Sequence, residues 1–269
     1  HTTEQIVANA VAQAQGFVAD GADCIDVGGM STRPGHALIP VEEEMARVLP
    51  VVRALAEAVD APISVDTFRG EVAQAALAAG AHLINDVWGL RYDRGLARLA
   101  AEAGVPLVVM HNRAAPEEAA YRARVMSLPF GPPGAYDDII GDIADELGQS
   151  MALAQGLGLP RWLLIADPGL GFGKTLEQQL ELIDRLDGLR EGGYPLLFGP
   201  SRKRFIGVVL GGLPPEERVE GTLATCVLAI DRGADIIRVH DVRGAVRAAR
   251  MTDAIVRQPR NHLAALPQK

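Results

Sequence analysis

Polar side chains stand directly after several short apolar runs in this sequence. Asp66 closes ISVDT, Asp167 follows LLIA, and Asn85 and His111 follow two further runs. Carboxylates and an amide offer the acceptors and donors that match the edge of a polar heterocycle. An Asp at such a place also suits a helix N-cap, so Asp66 has two interpretations, a ligand-binding carboxylate and a helix cap.

Cationic side chains follow other apolar runs. Lys203 lies in the basic run 202–204, which indicates either an anionic ligand or a solvated surface. Arg238 and His240 are two residues apart, so on one strand they would point to the same side and could hold an anion. Guanidinium groups such as that of Arg33 suit carboxylate or phosphate oxygens. The cations therefore predict an anionic substrate or leaving group, such as a carboxylate or a diphosphate.

Two glycine-rich segments also follow apolar runs. DVGGMSTRPGH, residues 26–36, has adjacent glycines that let the backbone approach a ligand, and a hydroxyl at Thr32; the alternative is an ordinary flexible loop. IADPGLGFGKT, residues 165–175, ends like a phosphate-binding Walker loop, but Pro168 stands where that loop needs glycine. No frame gives Gly-x-Gly-x-x-Gly either. The second segment is therefore not a phosphate loop, and its glycines indicate close packing around a planar ligand.

The elements that position these residues form a repeating pattern of short apolar runs and Ala-, Leu- and Glu-rich segments with helical period. The runs are Cys24–Val27, Pro62–Val65, His82–Ile84, Pro106–Met110, Trp162–Ala166, Pro195–Phe198 and Ile236–Val239. This alternation predicts an α/β fold with parallel strands, whose carboxyl ends carry the chemistry. A (β/α)8 TIM barrel needs eight strands, so we predict such a barrel with its first strand and loop missing from the chain as given.

The sequence also predicts three helices and one long loop. The opening segment has an apolar face and predicts a helix that crosses over from an earlier strand, and 137–157 and 176–189 predict two more helices. Residues 112–135 contain four prolines and few periodic apolar positions, which predicts a long irregular loop. That loop is either a functional lid or a surface excursion without a role.

Composition excludes several classes of protein. The 269 residues include 26 basic and 34 acidic side chains, a net charge of −8 that argues against a nucleic-acid partner. No apolar stretch is long enough to cross a membrane. Cys24 and Cys226 lie apart in apolar runs, which predicts buried, reduced thiols in a reducing compartment and no zinc site.

Seven segments, in order, closely resemble the dihydropteroate synthase family of the folate pathway. They are DVGGMSTRPG, ISVDT, LINDVWGL, VVMH, ADPGLGFGKT, GPSRKRFIG and GTLATCVLAIDRGADIIRVHDV. The resemblance implies one pterin-binding (β/α)8 domain over residues 1–269, cytoplasmic, homodimeric and a target of sulfonamides. It implies a transferase that condenses 6-hydroxymethyl-7,8-dihydropterin diphosphate with 4-aminobenzoate, giving 7,8-dihydropteroate and diphosphate, assisted by Mg²⁺.

The same resemblance implies a role for each candidate residue. The pterin would be held by Asp66, Asn85, Asp167 and Lys203, of which Asp66, Asp167 and Lys203 would be catalytic. The 4-aminobenzoate pocket would be lined by Thr32, Arg33, Pro34 and Ser201, the diphosphate would meet Arg238 and His240, and Phe172 would join the substrate-binding set. The family's magnesium-binding Asn lies in the first loop, which has no counterpart here, so we assign no metal ligand within this chain.

One departure and two rival functions follow from the same comparison of motifs. Met30 stands where the family usually has an acidic residue, which could alter the 4-aminobenzoate pocket. A pterin-binding methyltransferase shares the barrel and the acidic pterin clamp but lacks the Thr-Arg-Pro and Ser-Arg-Lys runs. A non-catalytic pterin-binding barrel is the second rival, and an Asn-x-Thr-Pro-Asp-like loop upstream would favour the enzyme over it.

Overall fold

Strands and helices alternate along the chain in the computed structural model, which describes residues 2–31, 38–114 and 130–257. The strands are β1 (Ile25–Gly28), β2 (Ile63–Asp66), β3 (Leu83–Asp86), β4 (Leu107–Met110), β5 (Leu164–Asp167), β6 (Leu197–Phe198) and β7 (Ile236–Ile237). The helices are α1 (Thr3–Ala19), α2 (Val41–Ala58), α3 (Gly70–Ala78), α4 (Gly95–Ala103), α5 (Ile139–Gly156), α6 (Leu176–Asp184), α7 (Arg204–Val209), α8 (Val219–Asp231) and α9 (Val242–Val256). Short 3₁₀ turns occupy Arg161–Leu163, Leu186–Gly192 and Pro215–Glu217.

All the strands that pair are parallel and lie in chain order. Strands β1 to β5 form one sheet and β6 pairs with β7, while a parallel bridge between Ala166 and Leu196 connects the two sheets. No ladder joins β7 to β1 within the described residues, yet Arg238 after β7 reaches Asp26 on β1. The parallel α/β architecture predicted from the sequence is confirmed, with seven strands of the barrel described.

Alternate residues of each strand face opposite sides of this curved sheet. The side chains that pack against the helices belong to the main core, for example Ile63, Val65, Val109 and Ala166. The intervening positions Val108, Ile165 and Leu197 form a separate cluster on the inner face. Since both faces are covered, β4 and β5 are buried along their whole length.

Local sequence signals begin and end the helices. Thr175 forms a capping box with Gln178 at the start of α6, and the Asp138 carboxylate accepts from the Gly141 N–H at the start of α5. Gly104, with φ of 66°, ends α4 in the left-handed region that glycine adopts readily. The two N-caps hold the loops that follow β4 and β5 at defined points, whereas Gly104 ends a helix at the amino ends of the strands.

Most of the predicted elements are observed, with shifted ends. Each predicted apolar run overlaps one strand, and the helix predicted over 137–157 is α5. The helix predicted over 176–189 is wrong at its end, because α6 stops at Asp184 and a 3₁₀ turn follows. In that turn Gly188 packs closely on α5, where a Cβ would lie 2.7 Å from Ile140 Cγ2, and glycine is a poor helix former.

Two further expectations concern exposure. Both cysteines are free and Cys226 is buried, but Cys24 is exposed, so the prediction of two buried thiols is wrong for Cys24. None of the described helices combines the length and apolar character of a membrane-spanning segment. Trp162 lies in the 3₁₀ turn just before β5, at the end of the sheet opposite to the carboxyl ends of the strands, and it is 80% exposed.

Candidate active site

Three charged groups meet on the inner face at the carboxyl ends of the strands. Arg238 donates from Nε to Asp26 Oδ2 at 2.6 Å and from Nη2 to Asp66 Oδ2 at 3.0 Å. Asp26 and Asp66 lie on neighbouring strands, and Gly28 rather than Asp26 is the register partner of Asp66. The two carboxylates therefore lie at different depths, and one guanidinium connects both.

Asp66 is the most perturbed carboxylate of this group. Burial and the nearby Asp26 raise the pKa of Asp66 to about 7, against the opposing attraction of Arg238. Asp26 and Asp66 in turn outweigh the effect of burial on Arg238 and raise its pKa. The helix-cap interpretation of Asp66 is wrong, because the N-cap position of α3 is Arg69.

Asn85 and Asp167 extend the polar inner face to β3 and β5. Asn85 is the register partner of Asp66, and both Asn85 and Asp167 are 8% exposed. Asp167 Oδ1 accepts from the Gly169 N–H at 2.7 Å. Burial raises the pKa of Asp167, while Lys203 and this N–H oppose the rise.

Lys203 faces the loop that follows β5. Its Nζ donates to the carbonyl oxygen of Leu170 and lies 5.2 Å from the centre of the Phe172 ring. Burial lowers the pKa of Lys203 to about 8, although the nearby Asp167 favours the charged form. Lys203 and Phe172, both predicted site residues, are thus brought together.

Ser201 and His240 form a second polar pair. The Ser201 hydroxyl oxygen accepts from the His240 N–H at 3.1 Å and lies 2.8 Å from His240 Nδ1. A hydroxyl has one donor and two acceptor positions, so Ser201 can pair with Nδ1 of His240 in either tautomer while it accepts from the backbone. The prediction that one strand carries both Arg238 and His240 is wrong, since β7 ends at Ile237.

The basic run 202–204 is partly neutralised within the protein. Arg202 donates to both carboxylate oxygens of Asp241, at 2.9 and 2.5 Å, with a left-handed φ of 54°. Its carbonyl accepts from Arg218 and its N–H donates to Thr222. Arg202 therefore fixes the turn that presents Ser201 and Lys203.

An apolar cluster covers the inner-face polar residues near β2, β3 and β4. Phe68, Val87, Trp88 and Met110 are buried together. Met30 and Phe172 pack on this cluster, along with Leu38, Tyr92 and Ala114. Met30, where the family usually has an acidic residue, thus contributes apolar surface beside the site.

Residues that the sequence interpretation missed anchor the chain on either side of 32–37. Glu44 is fully buried and accepts from Thr67 at 2.7 Å and from Arg69 at 2.8 Å, and Arg69 also donates to the Ile39 carbonyl. Arg47 donates to the Gly29 carbonyl at 3.1 Å. Thr32, Arg33 and Pro34 themselves lie outside the described residues.

Asp26 is a second missed residue, and the sequence did contain a signal for it. Asp26 and Asp66 occupy inner-face positions of their strands, as their shared partner Arg238 shows. In the predicted run Cys24–Val27, strand alternation separates Asp26 from the apolar Ile25 and Val27 and would have assigned Asp26 to the inner face.

The site combines hydrogen-bonding carboxylates and an amide with three basic side chains, all at the carboxyl ends of the parallel strands. Half-buried Asp66 and buried Asn85 and Asp167 can hold a ring that presents N–H donors, because an ionised carboxylate only accepts. Arg238, Lys203 and the Ser201–His240 pair can hold an anion beside it. The arrangement suits a substrate with both a polar ring and a leaving group of high negative charge.

Comparisons with known proteins agree with this chemistry. The family described as pterin binding enzyme matches residues 2–240. A dihydropteroate synthase of Clostridium beijerinckii is 44% identical over 250 residues, 93% of this chain and 86% of the relative. A Xanthomonas albilineans dihydropteroate synthase solved with 4-aminobenzoic acid has a TM-score of 0.84 and 41% identity, over 96% of this chain and 87% of that one. A Yersinia pestis enzyme solved with a pterin–sulfa conjugate has a TM-score of 0.82 and 37% identity, over 93% and 89%.

Proposed function

Because the chain belongs to the pterin-binding enzyme family and matches dihydropteroate synthases over about nine-tenths of its length, we infer that it catalyses dihydropteroate synthesis. As a transferase of folate biosynthesis, it would condense 6-hydroxymethyl-7,8-dihydropterin diphosphate with 4-aminobenzoate. The observation that carries this proposal is the placement of Asp66, Asn85 and Asp167 on one inner face, with Arg238 and Lys203 beside them.

The pterin ring is the partner we propose for the buried acceptors. Asp66 and Asp167 would accept from the ring N–H and amino groups, while the Asn85 amide both donates and accepts. Lys203, next to Asp167, would donate to a ring acceptor, and Phe172 would cover the ring from the β5 loop. Such binding also favours the ionised form of Asp66, whose pKa is raised in the free enzyme.

Bond cleavage would leave positive charge on the pterin methylene as the C–O bond to diphosphate breaks. Asp66 and Asp167 can stabilise that charge, and Arg238 with His240 can stabilise the departing diphosphate. The amine of 4-aminobenzoate then forms the new C–N bond and loses a proton. Holding both substrates in the barrel mouth supplies the orientation that this step requires.

The 4-aminobenzoate site is proposed at Ser201, together with Thr32, Arg33 and Pro34. Ser201 is 8% exposed and lies beside His240, so a carboxylate or ring at this point would be close to the diphosphate site. Sulfonamides would compete at the same place. Met30 adds apolar surface to the neighbouring cluster, and this surface would affect how tightly a sulfonamide binds there.

Magnesium dependence is part of the proposal, although the described residues do not form a magnesium site. They contain no group of three or more His, Cys, Asp or Glu side chains able to hold a metal. Asp26 and Asp66 already accept hydrogen bonds from Arg238. We therefore assign no step to the ion. The dependence is tested by assay with Mg²⁺ and with a chelator, and full activity in the chelator would contradict it.

Assembly and location complete the proposal. We propose a cytoplasmic homodimer without nucleic-acid or membrane partners. An apolar groove of about 310 Å³ lies between α6, α7 and α8, and the exposed side chains Val209, Leu210 and Leu228 contribute to it. An exposed apolar surface of this kind suits contact with a second copy of the chain.

The deciding experiment is an assay with labelled 4-aminobenzoate and the pterin diphosphate in the presence of Mg²⁺. Formation of labelled dihydropteroate and release of diphosphate is the expected result. A folded protein that binds pterin but forms no product would instead be the non-catalytic barrel. Methyl transfer from a methylated folate to a corrinoid protein would identify the rival methyltransferase.

A further inference from the structure

A buried charged network lies behind the barrel wall, between β4, β5 and α5. His111 follows Met110, the last residue of β4, and its side chain lies on the outer, helix-facing side of the sheet. There its Nε2 lies 2.8 Å from Glu146 Oε2. Glu146 also accepts from Arg113, at 2.7 Å from Nη2, and from the Gly131 N–H at 2.8 Å. His111, Arg113 and Glu146 are all at least nine-tenths buried. None of them belongs to the catalytic scheme above.

Lys174 joins this network to the β5 loop. Its Nζ lies 3.0 Å from His111 Nδ1, 3.0 Å from the Gly169 carbonyl and 3.2 Å from the Phe172 carbonyl. Because Nε2 of the neutral His111 donates to Glu146, Nδ1 is an acceptor, and three acceptors then match the three N–H bonds of an ammonium group. Burial lowers the pKa of His111 to about 3, which keeps the ring neutral.

The two carbonyls that Lys174 holds flank the contacts made by Lys203. Lys203 donates to the Leu170 carbonyl and lies over Phe172, so both of its loop contacts come from the segment 169–172. That segment is seated tightly, since a Cβ at Gly169 would overlap with the His111 carbonyl oxygen. At Gly173 a Cβ would lie 2.6 Å from the backbone carbon of Arg113.

From these contacts we propose that Lys174, oriented by His111 and Glu146, is a positioning residue that holds the 169–172 segment so that Lys203 and Phe172 meet the pterin. The proposal rests on the inferred dihydropteroate synthase function. It differs from a phosphate-binding role, because the contacts of Lys174 are two backbone carbonyls and a histidine nitrogen.

A purely structural role predicts a different outcome from a positioning role. Met has a similar length and volume to Lys and relieves the burial of an ammonium, but it leaves the acceptors that Lys174 paired without a donor, which lowers the stability in part. Lys174→Met should therefore keep the fold but release the two carbonyls. Lys174→Gln keeps an amide that can still donate to one or both.

The experiment compares the full chain with Lys174→Met, Lys174→Gln and a matched control, Arg161→Met. Arg161 also holds a backbone carbonyl, that of Gly192 at 2.6 Å, but at the opposite end of β5. Each protein is assayed with pterin diphosphate and with 4-aminobenzoate varied in turn, its thermal midpoint is measured, and 6-hydroxymethylpterin binding is measured by calorimetry.

For Lys174→Met we expect kcat/KM for the pterin diphosphate to fall about tenfold or more, the effect typical of lost supporting contacts. The KM for 4-aminobenzoate should change less than about twofold, because the segment 169–172 is proposed to contact the pterin and not the 4-aminobenzoate. Lys174→Gln should recover part of the loss, and Arg161→Met should match the wild type.

The pH profile gives a readout that a structural role would not change. The charged groups near Lys203 are Asp167 on β5, Arg238 after β7 and Lys174 itself. Loosening the loop hydrates Lys203 and so weakens the burial that lowers its pKa, which should move the basic limb of kcat/KM to higher pH.

Unchanged pterin kinetics in Lys174→Met would overturn the proposal, as would parallel losses for both substrates with a collapsed thermal midpoint in both Lys174 variants. If the wild type binds 6-hydroxymethylpterin but forms no product, the enzyme function fails while the binding comparison still tests Lys174. If the wild type binds no pterin, both fail.

Discussion

Arg238 is the residue at which the charges of the mouth converge. It neutralises Asp26 and Asp66, yet 46% of its side chain remains exposed. A guanidinium has five N–H bonds, and two of its three nitrogens, Nε and Nη2, supply the donors to these carboxylates. Arg238 is therefore oriented by the carboxylates and still able to meet an anion.

Arg238→Ala should weaken the binding of pterin diphosphate far more than that of 4-aminobenzoate. Loss of a charge-assisted contact predicts an increase of about tenfold or more in KM for the diphosphate substrate. Arg185→Ala, which removes exposed ion pairs with Asp138 and Glu181, is the control. Equal changes in both KM values would contradict the diphosphate role.

Lys203→Met should abolish turnover and leave the thermal midpoint nearly unchanged. The Lys203 side chain is half-buried and its surroundings disfavour the charged form, so an apolar side chain of similar length should fit. In the wild type, the cation is lost as pH rises through about 8, so pterin kcat/KM should decline there. A large drop in thermal midpoint would make Lys203 structural.

At the scale of elements, strand parity explains how the site is assembled. On β2 the sequence ISVD alternates helix-facing Ile63 and Val65 with inner-face Ser64 and Asp66. The same alternation places Asp167 on the inner face and His111, one residue beyond the end of β4, on the outer. The polar residues at the strand ends therefore form two groups. Those on the inner face form the site, and those on the outer face form the supporting network.

The sequence predicted the seven strands because apolar runs bounded by Gly, Pro or Asp are local signals. It also predicted Asp66, Asn85, Asp167, Lys203 and Arg238 as site residues, and the structure places all five at the carboxyl-end side of the sheet, Lys203 in the turn after β6. It could not predict the contact of His111 with Glu146, 35 residues away, because helix α5 can present any of several polar side chains until its packing is known. Lys174 resembles the lysine of a phosphate loop in the sequence, but in the structure it contacts the backbone carbonyls of Gly169 and Phe172, which no sequence motif predicts.

Glu146→Gln should make the protein less stable at neutral pH and flatten its acid dependence. Burial opposes ionisation, but hydrogen bonds from His111 and Arg113 lower the pKa of Glu146 from 4.5 to about 2. A depressed carboxyl pKa stabilises the fold above about pH 4.5, by about 3 kcal/mol, and this is lost as pH falls toward 2.

Urea unfolding between pH 3.5 and 7 measures this effect. Glu181→Gln, which breaks an exposed pair with Arg185, is the matched control and should parallel the wild type. His111 also resists protonation, so some acid dependence remains in Glu146→Gln. Identical pH dependence in wild type and Glu146→Gln would contradict the assignment.

At the scale of the whole molecule, charge is distributed unevenly. The chain carries a net charge of −8, while the mouth of the barrel combines the cations Lys203 and Arg238 with the carboxyl groups of Asp26, Asp66 and Asp167. The overall charge thus says little about the ligand, whose chemistry is set by the local groups. That residues 1–269 form one domain stays a prediction.

Leu228→Asp should convert the proposed homodimer to monomer. Leu228 is 49% exposed and lines the groove between α6, α7 and α8, where a charge would oppose apolar contact. Met251→Asp, on α9 and 63% exposed, is the control. Light scattering after gel filtration gives the mass, and a wild-type monomer or an unaffected Leu228→Asp dimer would refute this interface.

The positions of the two tryptophans give the protein an optical reporter. Trp88 is buried in the apolar cluster beside the site, whereas Trp162 lies in solvent at the other end of β5. Trp162→Phe would leave Trp88 as the sole indole in the chain. Its emission should be quenched when a pterin, itself an absorbing ring, enters the mouth. Ligand occupancy could then be followed in real time without labelling, and an emission that pterin leaves unchanged would place the ring elsewhere.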